Sequence, residues 1–369
     1  MRRTTLLLAL ITIATCATAQ TEVPVQRELD KAGLVKDAVQ GGWSVSGTYD
    51  DAKQEGYLLD SIQPVIQLEQ VRSVRNDALA KRKGKLSEDD CEDLKQLAGE
   101  VNAASPNSFE GNMANYYAEF PAPAAFGWLE QAKVLEPQRQ ELIAPELVQA
   151  AREDQRPELV RSAKAMKQRG EVAPALYHMA EDILLSVDRN GILIAAGEMD
   201  AYPVWVEQYA NDDRNDVLTI DQRLLGDAAY RARMWQRAAA EGVVPKSASE
   251  FIDGLYTATK RPVFLSLAVG QPLAAKYSAQ LYVTGLAMRM SATPAGDPNL
   301  LESRWRAMHK PTDAGPLSGN YLVPGTALLN HYRAIGDEER ANPLELELRN
   351  IAGRTGNTAR MYTNGVFEH

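Results

Sequence analysis

"GILIAAGEMDAYPVW", residues 191 to 205, is the stretch whose reading decides the fold. Its first half, "GILIAA", is a short run of small and branched apolar residues bounded by Gly191 and Gly197. Such a run suits a strand buried on both faces. Three more segments carry a similar signal: "DVLTID" (216–221), "RPVFLSLAV" (261–269) and "QLYVTGLAMRM" (280–290). Helical stretches lie between them, at Ala201–Ala210, Arg223–Ala240 and Ser247–Thr259. Strand and helix in alternation imply right-handed parallel crossovers, so residues 188–295 are expected to form a small Rossmann-like parallel sheet. In such sheets ligands bind at the carboxyl ends of the strands. Glu198 and Asp200 follow the first strand and Asp221 ends the second, so all three are expected in one crevice.

Upstream the period changes to helical. Leu58, Ile62, Val65, Ile66, Leu68, Val71 and Val74 share helix spacing, up to the charge cluster "KRKGK" (81–85), which reads as a solvated surface. "LSEDDCEDLKQLAGEV" then opens a second helix, with Ser87 as N-cap and Asp90 three residues on. Between Ser105 and Val187 the helices look paired. "AAFGWLEQAKVLEPQ" closes at Pro137, and "ELVRSAKAMKQRGEV", with Gly170 at its stop, repeats its Ala-Lys pair 31 residues later. Small residues inside amphipathic helices at a spacing near ~34 are how tetratricopeptide-like hairpins stack. Residues 49–187 therefore read as a tetratricopeptide-like helical region, and 296–369 return to helices and a tail. The expected class is α/β with a large helical part.

The N-terminus gives an address. Arg2 and Arg3 precede an apolar run from Leu6 to Ala14, and Ala17-Thr18-Ala19 offers a cleavage site before Gln20. Residues 1–19 read as a secretory signal peptide, followed by an extended lead-in over 20–48. The expected location is the periplasm. Ile13-Ala14-Thr15-Cys16 vaguely resembles a lipobox, which would anchor the chain through Cys16 at the outer membrane. Thr before the Cys is unusual there and favours the plain signal peptide. No later apolar stretch reaches the ~18 residues a membrane helix needs. The formal net charge of −9 argues against a nucleic-acid partner. Cys91 is the one cysteine left after the signal, so no internal disulfide is expected; it reads as a small packed residue.

Absent motifs narrow the chemistry further. There is no G-x-S-x-G, no H-E-x-x-H, no Walker A loop and no G-x-G-x-x-G. The four histidines (His178, His309, His331, His369) are not spaced like metal ligands, and His178 and His331 read as packing or surface residues. The strand-edge carboxylates are the best candidates. Glu198 and Asp200, two apart in a loop, could hold a divalent cation, although no cofactor is expected. Tyr202 and Asp221 would complete a ligand site. The competing reading is that the carboxylates cap the next helix and complement its dipole, with Pro203 in its first turn. Trp205 is expected in the core.

These residues also carry a resemblance. "ILIAAGEMDAYPVWVEQ" and "RNDVLTIDQRLL" resemble a block written I-L-F-T-N-G-D-N-D-T-Y-P-L-W, then R-x-D-V and Leu-Leu. That block belongs to the soluble portion of bacterial multi-spanning proteins related to protein O-mannosyltransferases, and to stand-alone secreted relatives that carry it after helical repeats. "SPNSFEGNMANYY", "WLEQAKVLEP" and "NYLVPGTALLNHYRAIGDEERA" extend the likeness over roughly Ser105 to Gly356. Gly197, Asp200, Tyr202, Pro203, Trp205, Arg214, Asp216 and Val217 match the block. Glu198 stands in place of its Asp and Met199 in place of its Asn. The first keeps the charge, while the second removes two hydrogen-bonding functions. The resemblance implies a sugar-transfer setting, but this chain lacks the membrane part where transfer would occur. The expectation is therefore a periplasmic interaction protein of the cell envelope, binding a protein or glycan. The alternative is a metal- or nucleotide-sugar-dependent glycan-processing enzyme at Glu198 and Asp200. Gly197, Pro203, Trp205, Arg214 and Asp216 are expected to be structural.

Overall fold

A computed structural model describes residues 59–81, 86–169, 172–293 and 295–367. The signal peptide, the lead-in, Cys16, Gly170 and most of the "KRKGK" cluster lie outside the described residues.

The described residues begin with helices α1 (Leu59–Lys81), α2 (Glu88–Ala104), α3 (Phe109–Glu119) and α4 (Ala125–Leu135). Ser87 caps α2 as its sequence suggests: its hydroxyl accepts from the Asp90 amide at 3.1 Å, and Asp90 accepts from the Ser87 amide at 2.7 Å. Two of the orphan donors of the first turn are thus satisfied reciprocally. Successive helices pack on one another, and α1 lies on both α2 and α3. Next come α5 (Ile143–Glu153), α6 (Arg156–Arg169) and α7 (Pro174–Leu185). Ala132 and Ala163, the small residues of the repeated Ala-Lys pairs, are both fully buried.

The sheet follows: β1 (Ile192–Ala195), α8 (Glu198–Ala210), β2 (Leu218–Asp221), α9 (Ala228–Arg237), α10 (Ala248–Ala258) and β3 (Val263–Ser266). After a short helix α11 (Gln271–Lys276) it is completed by β4 (Leu281–Val283) and β5 (Ala287–Met290). The strand order is β2-β1-β3-β5-β4. The first three are parallel, and every residue of β1 is buried, as its unbroken apolar run requires. The expected fourth strand is instead a hairpin, antiparallel to β3 and within itself, so the sheet is mixed. The break falls at Thr284-Gly285. Gly285 adopts φ +136°, and Ser186 fixes the turn by accepting from the Leu286 amide at 2.8 Å and, at its carbonyl, from the Thr284 hydroxyl.

Helices α6 and α7 pack against α8, joining the helical part to the sheet. The chain closes with α12 (Pro298–Ala307), α13 (Leu322–Ala334), α14 (Glu338–Arg354) and α15 (Thr358–Thr363). One buried apolar cluster runs from Leu68 through the strands to Phe367, so the three sequence segments share a core. Among the described residues no helix is long and apolar enough to cross a membrane. Cys91 is free and half-buried.

Candidate functional site

Everything at the carboxyl edge of β1 turns on Gly197. Its φ of +156° suits glycine, and a Cβ there would lie 2.8 Å from Nε of Arg223. The backbone can therefore turn sharply from strand to helix with an arginine laid against it. The helix starts at once, at Glu198 and not at Ala201 as the sequence suggested. This corrects the picture of a carboxylate loop, because Glu198 and Asp200 are first-turn residues. It also moves Pro203 out of the first turn and into the helix, where it is buried.

Asp200 is 1% exposed. Its carboxylate accepts from the amides of Ala196 (2.8 Å), Gly197 (2.8 Å) and Ala201 (2.9 Å), reaching back over the helix start. Burial pushes its carboxyl above the usual 3.8, opposed by the Ala196 and Gly197 amides and by the Ser266 hydroxyl at the end of β3. Asp200 is a buried N-terminal cap, which is the helix-capping alternative and not the open oxygen ligand.

Asp221 sits beside it, since Ala195 and Asp221 are register partners across β1 and β2. It is fully buried and accepts from the Arg223 amide at 2.9 Å and from Arg223 Nη2 at 2.7 Å. The same guanidinium donates from Nη1 to Glu198 at 3.0 Å and from Nη2 to the Tyr202 hydroxyl at 3.2 Å. A second arginine, Arg75 of α1, donates to the same Glu198 oxygen at 2.9 Å. Phe120 flanks both, 5.0 Å from the Arg223 guanidinium and 5.6 Å from that of Arg75. Glu198, Asp200 and Asp221 do meet at the ends of adjacent parallel strands. The Arg223 guanidinium bridges Glu198 and Asp221, Arg75 holds the same Glu198 oxygen, and Asp200 is taken up by backbone amides, so Glu198 and Asp200 do not present a joint oxygen pair to a cation.

Burial alone would raise the Glu198 carboxyl, but the charges of Arg75 and Arg223 overcome it and hold it at about 2, against an ordinary 4.5. A group whose folded value is depressed stabilises above its unfolded value, and that stability is lost as pH falls through the folded one. The Glu198 contribution should thus be complete above pH 4.5 and vanish towards pH 2. The shift corresponds to about 3 kcal/mol. Urea unfolding of wild type and Glu198→Gln across this range reads it directly. The gap between the two should be widest near neutrality and close in acid; a gap independent of pH would contradict the ionic account.

The residues expected to be structural are placed as follows. Trp205 is 2% exposed and stacks on Tyr202 with ring centroids 5.9 Å apart. Arg214 donates to the carbonyls of Leu184, Val187 and Asp188, satisfying the end of α7, and pairs with Asp216 at 3.0 Å. Asp216, exposed, accepts from the Asn190 amide at 2.7 Å. Sequence reasoning missed both arginines. Arg223 had a weak signal, two positions after Asp221 in the quoted block. Arg75 had none, being 123 positions from its partner.

Residues 176–252, from α7 to α10, match the family described as TMEM260-associated domain 2. No curated protein and no solved structure matches the chain.

Proposed function

We propose that this chain is a periplasmic interaction protein of the cell envelope that binds a protein or glycan partner through its helical part. The observation that carries the reading is the commitment of the strand-edge groups. Asp200 is taken up by backbone amides, and Glu198 and Asp221 by Arg75 and Arg223. An enzyme centred on Glu198 and Asp200 would first have to break those bonds. In contrast, the helical part carries an open groove lined by Asn107, Asn112, Glu130, Gln131, Val134 and Leu135. Val134 is 82% exposed at its edge. Apolar side chains left in water beside amide groups suit a partner surface.

Within this reading the helices before residue 188 are tetratricopeptide-like hairpins, and β1 to β3 with their crossovers are a Rossmann-like half-sheet. The matched domain and the quoted block support descent from proteins linked to O-mannosyl transfer. The signal peptide supports periplasmic placement.

The test has two arms. Envelope extract passed over immobilised chain should yield a partner that a Val134→Asp/Leu135→Asp variant fails to retain and a Glu198→Gln variant keeps. Turnover of a nucleotide sugar or polyprenyl sugar, abolished by Glu198→Gln, would overturn the reading in favour of the enzyme.

A further inference from the structure

Three side chains far apart in sequence meet on the face of α7. His178 and Glu181 are one turn apart on that helix, and His309 arrives from the segment after α12. Glu181 Oε2 lies 3.3 Å from Nδ1 of His178 and 3.5 Å from Nε2 of His309. One ligand atom from each of the three lies within 4.8 Å of the others, and the two imidazoles stack at 4.8 Å. We propose that His178, Glu181 and His309 bind a divalent transition-metal ion, with zinc the best fit.

The geometry suits the ion. Around tetrahedral zinc, with bonds of about 2.0–2.1 Å, neighbouring ligand atoms sit roughly 3.3–3.4 Å apart. The two separations to Glu181 already match, and the His178–His309 gap, within 4.8 Å, must close by up to about 1.4 Å through side-chain rotation. Two imidazoles and one carboxylate suit zinc, nickel or copper; magnesium and calcium prefer all-oxygen shells. All three side chains are between a third and a little over half exposed, so water has access to a fourth position.

What distinguishes this cluster from a chance surface grouping is the group behind it. Asp182, 1% exposed, lies 3.0 Å from Nδ1 of His309. A carboxylate there holds the proton on Nδ1 and leaves the Nε2 lone pair facing Glu181, the arrangement that orients histidines in metal sites. Asp182 is itself fixed, accepting from the amides of His309 and Lys310 and from the Tyr321 hydroxyl at 2.6 Å. The nearby cation does not compete, since Lys310 Nζ donates to the Trp305 carbonyl and faces Glu347. A bound ion would tie the C-terminal helices to α7 at the edge of the matched domain.

The test is zinc titration of chain without a histidine tag, by competition with a chromophoric chelator at neutral pH. One equivalent should bind. His178→Ala and His309→Ala should each weaken binding by about tenfold or more, while His331→Ala and Cys91→Ser leave it unchanged. Cobalt in place of zinc should give visible absorption that the histidine variants lose. Circular dichroism confirms folding; if His309→Ala does not fold, the exposed His178→Ala decides. Affinity equal in wild type and the histidine variants, or lost with Cys91→Ser, overturns the proposal, as does the absence of stoichiometric binding.

Discussion

Asp200→Ala should lower stability by about 3 kcal/mol, close to the ~3–5 kcal/mol expected for Trp205→Ala as a truncated core aromatic. The figure comes from the donors left behind. The Ala201 amide keeps a second acceptor, the Gly197 carbonyl at 2.7 Å. The amides of Ala196 and Gly197 lose their carboxylate partner at a buried turn, and each orphaned donor costs roughly 1–3 kcal/mol. Loss of a negative charge at a helix start adds a few tenths more. One effect works the other way. Because burial raises the Asp200 carboxyl above 3.8, folding favours its protonated form, and its charge weakens the fold as pH climbs past that value. Asp200→Asn removes the charge and keeps one acceptor, so at neutral pH it should lose less than Asp200→Ala. Denaturant unfolding of the three variants settles the order. If Asp200→Ala melted like wild type while Trp205→Ala collapsed, the carboxylate would be held for a ligand and the cap account would fail.

The same residues show where sequence reading works. The strands β1, β2 and β3 were legible because a strand buried on both faces must be apolar throughout, and little else in a polar chain looks like that. Their parallel pairing followed from the helices between them. The Ser87 capping box was legible because all its partners lie within four positions. The hairpin at Gly285 was not, although Thr-Gly inside an apolar run is a turn signal; the run's length masked it. The sequence points to a late start for α8, because Pro203 suits a first turn, whereas the cap that starts it lies back at Gly197 and Asp200. The convergence of Glu198, Asp200 and Asp221 was readable from topology. Its neutralisation was not, because Arg75 and Arg223 reach Glu198 from elements whose approach no local pattern encodes. The histidines repeat the lesson: none is spaced as a ligand in sequence, yet His178 and His309 stack in the fold. Distance along the chain hides the groups that decide a site's chemistry.

Asp182→Ala is expected to be the most damaging single change outside the apolar core, at about 4–5 kcal/mol, since one buried carboxylate there serves several donors. Its oxygens accept from the His309 amide (3.0 Å), the Lys310 amide (3.1 Å) and the Tyr321 hydroxyl (2.6 Å). Asp182 belongs to α7, ahead of the sheet, while its partners follow α12; the carboxylate therefore fastens the C-terminal helices to the rest of the chain. Tyr321 is fully buried, and its hydroxyl is pushed well above the ordinary 10, first by burial and then by the facing Asp182 charge. That hydroxyl stays protonated and donates at every pH where the protein folds. Truncating Asp182 strands it along with two amides. Tyr321→Phe removes a single donor and leaves Asp182 its amide partners, so it should cost only about 1–2 kcal/mol. The pair of changes should then cost less than the sum of the two, because the phenylalanine has no hydroxyl left to strand. Equilibrium unfolding of both single variants and the double variant measures that coupling. Strict additivity would mean the Tyr321 bond contributes nothing to holding the C-terminal helices, leaving that role to the two amides and to packing.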